Sequence, residues 1–222
     1  LSLLLGVWVS NIIEYLPRNI KTGQELTFKN ILLSSKKTFA DVIIKTSLPL
    51  LMIWCLILFL SGVSLLSLVY MTLTTGMYAL LRIDLNHMLL PDKLTVPLIW
   101  LGLISSSFDL LPVKPSEAIQ GAVTGYFIPW GIFWFFKLST GKEGFGYGDF
   151  KLMALIGCFL GPASVSNVLL GACLSGILVG SIIKRGGSEG VFPFGPHLIV
   201  FGVISLLFPE YDKLMNSFWL FL

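Results

Sequence analysis

Two aspartates, Asp84 and Asp149, have the type and setting that acid–base chemistry requires. Asp149 follows the glycine-rich stretch GKEGFGYG at residues 141–148 and precedes an apolar run that begins at Phe150. A short acid at the mouth of a membrane helix is costly to place, because it cannot reach back to water as lysine does. Such an acid is usually paired or used in a reaction, and Asp84 is the candidate partner.

Two carboxylates that come within a few ångströms of each other cannot both ionise, so one keeps a proton while the other stays a base. Such a pair can cleave a peptide, because the base takes a proton from the attacking water and the acid protonates the carbonyl oxygen. Gly146 and Gly148 would let the backbone turn and let an extended peptide approach without side-chain obstruction. Lys151 would tune the charge of Asp149 or mark the cytoplasmic border.

The composition is that of a membrane protein. The 222 residues are 55% hydrophobic and only 12% charged, whereas a soluble domain carries roughly twice that share of charge. We therefore predict an all-α, polytopic membrane helix bundle in a lipid bilayer. The net charge of +3 gives no support for a nucleic-acid partner.

The cysteines give no sign of a metal site. Cys55, Cys158 and Cys173 each lie within an apolar run, and no two are spaced as a CxxC pair. We expect small buried apolar residues and neither zinc ligands nor disulfides. No cofactor is expected.

Apolar runs of membrane length predict about eight transmembrane helices. The runs are residues 1–16, 42–60, 64–81, 94–111, 118–138, 150–160, 165–183 and 194–207, with an apolar tail at 218–222. Residues 150–183 are equally consistent with one helix pair broken at Gly161-Pro162. Residues 1–9 lack a basic start and a following small-residue cleavage site, so we interpret them as part of a retained first span.

The polar segment 17–45 lies within a single predicted domain of residues 1–222. Its apolar side chains recur at helical spacing and its central lysines lie off that stripe, which predicts an amphipathic helix on the membrane surface. If this segment is cytoplasmic, alternating spans leave only Lys114 and Lys213 outside among 15 basic residues. This distribution satisfies the positive-inside rule and places Asp84 and Asp149 on the same cytoplasmic face, each at a helix end.

Structural alternatives remain open on spacing alone. Asp149 could be a first-turn acid stabilised by the helix dipole, and Asp84 could be a loop acid beside Arg82. Asp92 is interpreted as the start of the next helix. Structural roles are also predicted for Asp41, Asp109 and Asp212. We expect His87 to lie on the surface and His197 to be packed inside the protein. No serine has a Gly-x-Ser-x-Gly context, which leaves a serine mechanism unsupported.

The two acidic segments resemble those of a known family. GFGYGDFKL at residues 144–152 resembles the GxGD signature of type IV prepilin peptidases, and IDLNHMLLPDKLT at 83–95 resembles the segment that carries their first catalytic aspartate. Shorter likenesses occur at residues 11–17, 97–103, 135–143 and 193–196. The similarity extends from about Met71 to Phe208.

The resemblance implies that Asp84 and Asp149 are the catalytic pair. It implies removal of the short basic leader of prepilins or pseudopilins, after a glycine and just before the apolar stalk helix. The implied setting is the cytoplasmic face of a bacterial inner membrane, in type IV pilus or type II secretion assembly. Segment 17–45 lacks the two CxxC pairs that many members carry, so zinc and N-methylation are not implied. Glu14-Tyr15 stands where the family usually has a basic residue.

Three other functions compete with leader cleavage. A presenilin-type intramembrane protease shares GxGD, but its first acid is expected inside a span. A transporter would place acids near mid-span and show matching halves, which this sequence lacks. A purely structural assembly subunit would give no reason for GxGD to accompany a second acid. The sequence makes no prediction of oligomeric state.

Overall fold

The computed structural model describes residues 2–22, 43–141, 146–185 and 193–219. Within these ranges the regular structure is helical, with no β-strand. The predicted all-α fold is therefore confirmed. The stripe predicted to form an amphipathic helix between residues 28 and 42, and Asp41 with it, lie outside the described residues.

The chain divides into two compact units, the first ending at Leu94 and the second beginning at Thr95. Whether they form the single domain predicted from the sequence remains a prediction. The first unit contains α1 (Ser2–Thr22), a π-helical turn (Ile43–Ser47), α2 (Leu48–Ser61) and α3 (Leu65–His87). Pro17, predicted to begin a loop, lies inside α1.

The first unit has its own apolar core between α1 and α3. Its buried side chains are Val9, Ile12, Ile13, Leu16, Leu50, Ala79 and Ile83. Tyr78 donates its hydroxyl hydrogen bond to the Lys45 carbonyl, which joins α3 to the π-helical turn. These contacts fix the end of α3 that carries Asp84.

The second unit is a bundle of helices that follow one another along the chain. Helix α4 (Asp92–Ser107) leads into it from the first unit, followed by α5 (Pro115–Thr140), α6 (Tyr147–Leu160), α7 (Pro162–Arg185), α8 (Gly195–Leu207) and α9 (Pro209–Trp219). Gly161 separates α6 from α7 with a φ of 81°, a value that favours glycine. The break predicted at Gly161-Pro162 is confirmed.

Helices α5 and α6 approach each other through their backbones. A Cβ atom at Gly121 would overlap the carbonyl oxygen of Gly157, and one at Gly125 would overlap that of Met153. Small residues at membrane-helix contacts allow this approach, where lipid removes most of the hydrophobic drive for association. The α5–α6 contact therefore fixes the position of α6 along α5, including the position of its first turn.

Helix α9 was not predicted, because its sequence carries four charged or amide side chains and no long apolar run. It is held by the Asp212 carboxylate, which accepts hydrogen bonds from Ser164 Oγ at 2.8 Å, Ser205 Oγ at 2.5 Å and Asn167 Nδ2 at 3.1 Å. Burial, and then the Asp212 charge, raise the pKa of the Tyr211 hydroxyl, which stays a donor to the Asn167 carbonyl. The structural role predicted for Asp212 is confirmed.

Three helical stretches among the described residues are long and apolar enough to cross a bilayer. They are Ile44–Ser61, Leu65–His87 and Pro162–Ile182, and Gly195–Leu207 is a shorter apolar helix. The chain is thus a membrane protein with an all-α fold, while the count of eight spans remains a prediction. Cys158 is buried as expected, but Cys55 lies exposed on α2, so the expectation for Cys55 was wrong.

Replacing Gly121 with alanine tests the α5–α6 contact. The new methyl group must push two backbones apart, because its nearest neighbour is the fixed carbonyl of Gly157. We expect Gly121→Ala to lower the free energy of unfolding by about 1–3 kcal/mol, the usual cost of overpacking. The unfolding midpoint of the purified protein in detergent measures this change.

Gly131→Ala is the matched control in the same helix, because a Cβ atom there meets nothing within 4 Å. We expect it to be neutral or to stabilise by about 0.5–1 kcal/mol, the usual gain of Ala over Gly in a helix. Equal midpoints for Gly121→Ala and Gly131→Ala would contradict the backbone contact.

Candidate active site

Asp149 lies in the first turn of α6 and is 7% exposed. Its backbone N–H donates to the Gly146 carbonyl at 3.1 Å, and the Gly146 N–H donates back to Asp149 Oδ2 at 3.1 Å. Two backbone groups are thereby satisfied at a helix start, where N–H groups otherwise lack partners. The first-turn alternative is thus correct as a description of the local structure.

The helix that carries Asp149 is buried along nearly its whole length. From residue 149 to residue 159 every position except Lys151 is buried, because α5, α7 and α8 all pack against α6. Lys151 is half-buried one half-turn beyond Asp149. A carboxylate on such a helix has little freedom to move, which is what a preorganised catalytic group requires.

An aromatic cluster supports the first turn of α6. The Phe133, Tyr147 and Phe150 rings pack against one another with centroid separations of 5.4 to 5.8 Å. Phe133 and Phe150 are fully buried, and Lys137 Nζ lies 5.4 Å from the Phe133 ring centroid. This cluster was not predicted from the sequence, although aromatic residues recur at helical spacing along α5 and would have indicated it.

Asp84 lies in the last turn of α3, next to the fully buried Ile83, and is 5% exposed. Its carbonyl accepts the Met88 N–H at 2.8 Å, and Met88 ends the helix in the left-handed conformation with a φ of 53°. The alternative of a loop position for Asp84 is wrong. His87 also lies on α3 and not on a loop, and its predicted exposure is confirmed.

Gly146 and Gly148 were expected to let the backbone turn sharply before Asp149, but neither has a backbone conformation that requires glycine. Gly146 has a φ of −79°, a conformation open to any residue, and Gly148 lies within the first turn of α6. Among the described residues of this stretch, the left-handed one is Gly141, with a φ of 70°, which ends α5. A Cβ atom at Gly146 would meet Asp149 Oδ2 at 3.4 Å, so what distinguishes Gly146 is its closeness to the acid.

The other acids and histidines have structural surroundings. Asp92 is exposed and begins α4, as predicted, while Asp109 is exposed in a turn with a φ of 54°. His197 is half-buried against Phe194, which confirms its packed position. Among the described ranges, no three histidine, cysteine, aspartate or glutamate side chains cluster as metal ligands.

Comparison with known proteins assigns the family. The sequence profile of the type IV leader peptidase family matches residues 71–181, which make up half of the chain and include both Asp84 and Asp149. The chain belongs to this family.

Curated relatives share substantial sequence with this chain. Proteins named prepilin leader peptidase/N-methyltransferase are 43% identical in Stutzerimonas stutzeri and 45% in Pseudomonas aeruginosa, each over 141 residues, covering 62% of this chain and 48% of the relative. The protein of that name from Dichelobacter nodosus is 39% identical over 136 residues, covering 61% and 46%. The chain spans about half the length of the curated relatives it matches. No solved structure matches it.

Replacing Phe133 with alanine tests the aromatic support of the candidate site. Removing a fully buried ring leaves a cavity under Tyr147 and Phe150, and we expect a loss of about 3–5 kcal/mol in the free energy of unfolding. Chemical unfolding in detergent measures it. Phe135→Ala is the control, because Phe135 lies two residues away in α5 and is 76% exposed. A loss no larger for Phe133 than for Phe135 would contradict the packing.

Proposed function

We propose that this chain removes the short basic leader of type IV prepilins or pseudopilins, after a glycine, at the cytoplasmic face of a bacterial inner membrane. The observation that carries the proposal is that both candidate acids, each buried at a helix end, fall inside the region matched by the leader peptidase family. The relatives' names support the substrate class. The split of basic residues between the two faces supports the cytoplasmic orientation.

The two acids take different roles in this proposal. Asp149 lies at the N-terminus of α6, where the helix dipole and the Gly146 N–H stabilise a negative carboxylate. Asp84 lies at the C-terminus of α3, where the dipole disfavours negative charge and therefore favours the neutral acid. Asp149 is accordingly the base, and Asp84 is the proton donor.

The reaction then follows from these two roles. Asp149 takes a proton from a water molecule as the water attacks the carbonyl carbon of the scissile peptide bond, and Asp84 protonates the carbonyl oxygen. When the tetrahedral intermediate collapses, the proton held by Asp149 passes to the departing amine. Asp84 recovers its proton from the collapsing diol. Both acids return to their starting states, so no cofactor is needed.

The positions of the acids also separate this proposal from its competitors. A presenilin-type protease or a transporter calls for an acid well inside a span. Asp84 is within one turn of the end of α3, and Asp149 is within one turn of the start of α6. Helix ends suit a peptide bond at the membrane surface. Gly146, Gly148 and Lys151 are proposed to border the bound peptide beside Asp149.

The proposal covers the peptidase reaction alone. The names of the relatives also include an N-methyltransferase, but this chain matches only about half of their length. Segment 17–45 has no cysteine, so it lacks the CxxC pairs that accompany methylation in similar proteins. Pilus or type II secretion assembly is the setting that prepilin and pseudopilin substrates would imply.

A prepilin processing assay in membranes tests the two acids. We expect Asp84→Asn and Asp149→Asn each to lower the cleavage rate by about 100-fold or more, the usual contribution of general acid–base catalysis. Asp84→Asn should retain more activity than Asp149→Asn. An amide at position 84 can still donate a hydrogen bond to the carbonyl oxygen, whereas an amide at 149 cannot accept the proton of water.

Asp92→Asn is the matched control, because Asp92 is exposed and begins the helix that follows α3. It should cleave at a near-normal rate. Normal cleavage by either of the first two variants, with the protein present at its usual level, would remove that residue from the catalytic pair. An intact chain that cleaves no prepilin would overturn the proposed function itself.

A further inference from the structure

A hydrogen bond between Ser175 and His197 joins α7 to the start of α8. Ser175 Oγ lies 2.8 Å from His197 Nδ1 and also donates to the Ala172 carbonyl at 3.0 Å. Which of the two atoms donates depends on the imidazole tautomer, because a serine hydroxyl can donate to Nδ1 or accept from Nδ1–H.

Helix packing predicts that this pair lies near the level of Asp149 in the second unit. Helix α8 runs antiparallel to α7, since Gly171 meets Phe201 and Ser175 meets His197. Helix α7 turns back from α6 after Gly161, so we treat α6 and α8 as parallel, with the Ile156 side chain packed over Gly202. Asp149 lies seven residues before Ile156, and Gly195 lies seven residues before Gly202. With equal rise along both helices, Asp149 is level with Gly195, two residues from His197.

The register of α7 gives the same level independently. Gly157 of α6 lies opposite Val165 of α7. Counting eight residues away from the connecting turn leads from Gly157 to Asp149 on α6 and from Val165 to Cys173 on α7. Asp149 is then level with Cys173, which is two residues from Ser175. Extrapolated along straight helices, both contacts predict that the Ser175–His197 bond lies within about one helical turn of the Asp149 level.

Helix periodicity predicts that Asp149 lies on the face of α6 that packs against α8. Positions seven apart share a helix face, and Ile156, seven residues beyond Asp149, is the residue that contacts α8. Gly202 and Gly195 share a face of α8 by the same rule, and Gly195 offers no side chain between the two helix starts. The turn at residues 193–197 therefore adjoins the face that carries the acid.

We propose that residues 193–197 form one wall of the peptide-binding site beside Asp149, and that the Ser175–His197 bond holds this wall in place. His197 is a positioning residue, and the half-buried Pro193 and Phe194 supply an apolar contact for the substrate next to its scissile bond. The Phe194 ring stacks on the imidazole at a centroid distance of 6.4 Å and an angle of 23°, so fixing His197 also fixes Phe194. This inference rests on the proposed function.

Steady-state kinetics of prepilin cleavage test the positioning role. Ser175→Ala and His197→Leu each remove one partner of the hydrogen bond, and we expect each to raise KM by about fivefold with kcat within about twofold. Asn at position 197 places its amide close to the site of Nδ1, where it can donate to or accept from Ser175 Oγ, so His197→Asn should restore KM to within about twofold of the intact chain. A merely structural role would not give this KM-only change with rescue by Asn.

Ser181→Ala is the matched control on the same helix. Ser181 Oγ also donates to a carbonyl of its own helix, Ile177 O at 2.6 Å, but the residue is exposed. Its KM should not change. An unchanged KM in Ser175→Ala, in a preparation whose intact chain cleaves prepilin, would overturn the inference and leave the proposed function standing.

A binding measurement tests the wall without cleavage. A photo-crosslinking benzoylphenylalanine in place of Phe194, in a chain that also carries Asp149→Asn, should capture added prepilin. The same probe in place of Phe208, at the other end of α8, should not. Failure of the Phe194 probe to capture prepilin, or equal capture by both probes, would overturn the contact. An intact chain that fails to cleave, with a positive Phe194 probe, would overturn only the proposed reaction.

Discussion

The backbone contact between α5 and α6 is the constraint on which the position of Asp149 depends. Gly121 and Gly125 of α5 meet the backbone of α6 at Gly157 and Met153 with no side chain between them. In lipid, helices associate through close packing and not through release of water, so a contact of this kind is a main source of cohesion. The aromatic cluster at the other end of α5 then fixes the first turn of α6.

Each of the two compact units carries one buried acid at a helix end. The ends are of opposite polarity, because Asp149 begins α6 and Asp84 lies in the last turn of α3. Peptide dipoles stabilise a carboxylate at the first end and disfavour one at the second. The proposed reaction requires this difference, since its two groups have to start in different protonation states.

Much of the fold could be predicted from the sequence because apolar runs between glycine and proline positions define helices directly. The break at Gly161-Pro162 and the start of α8 at Gly195 follow from local chemistry. Helix α9 could not be predicted, because it is held by hydrogen bonds from Ser164, Asn167 and Ser205. Ser164 and Asn167 are 48 and 45 residues away from Asp212, so these bonds leave no periodic signal in the sequence.

The candidate site was predictable in its residue types and only partly in its surroundings. Asp84 and Asp149 were identified by their settings at the ends of apolar runs, but the sequence placed Asp84 near a loop and the structure extends α3 to His87. The supporting Phe133 and the Ser175–His197 bond join helices through contacts that only the folded packing creates. Sequence spacing within a single helix cannot indicate such contacts.

Cysteine crosslinking in membranes tests most directly the claim that Asp84 and Asp149 act on the same bond. The variant combines Asp84→Cys with Asp149→Cys in a chain whose Cys55, Cys158 and Cys173 are replaced by alanine. We expect a short thiol-specific crosslinker to join positions 84 and 149, and not positions 84 and 109 in the matched pair with Asp109→Cys. If both cysteines react with a one-headed reagent yet no 84–149 crosslink forms, with or without prepilin, the paired mechanism is wrong.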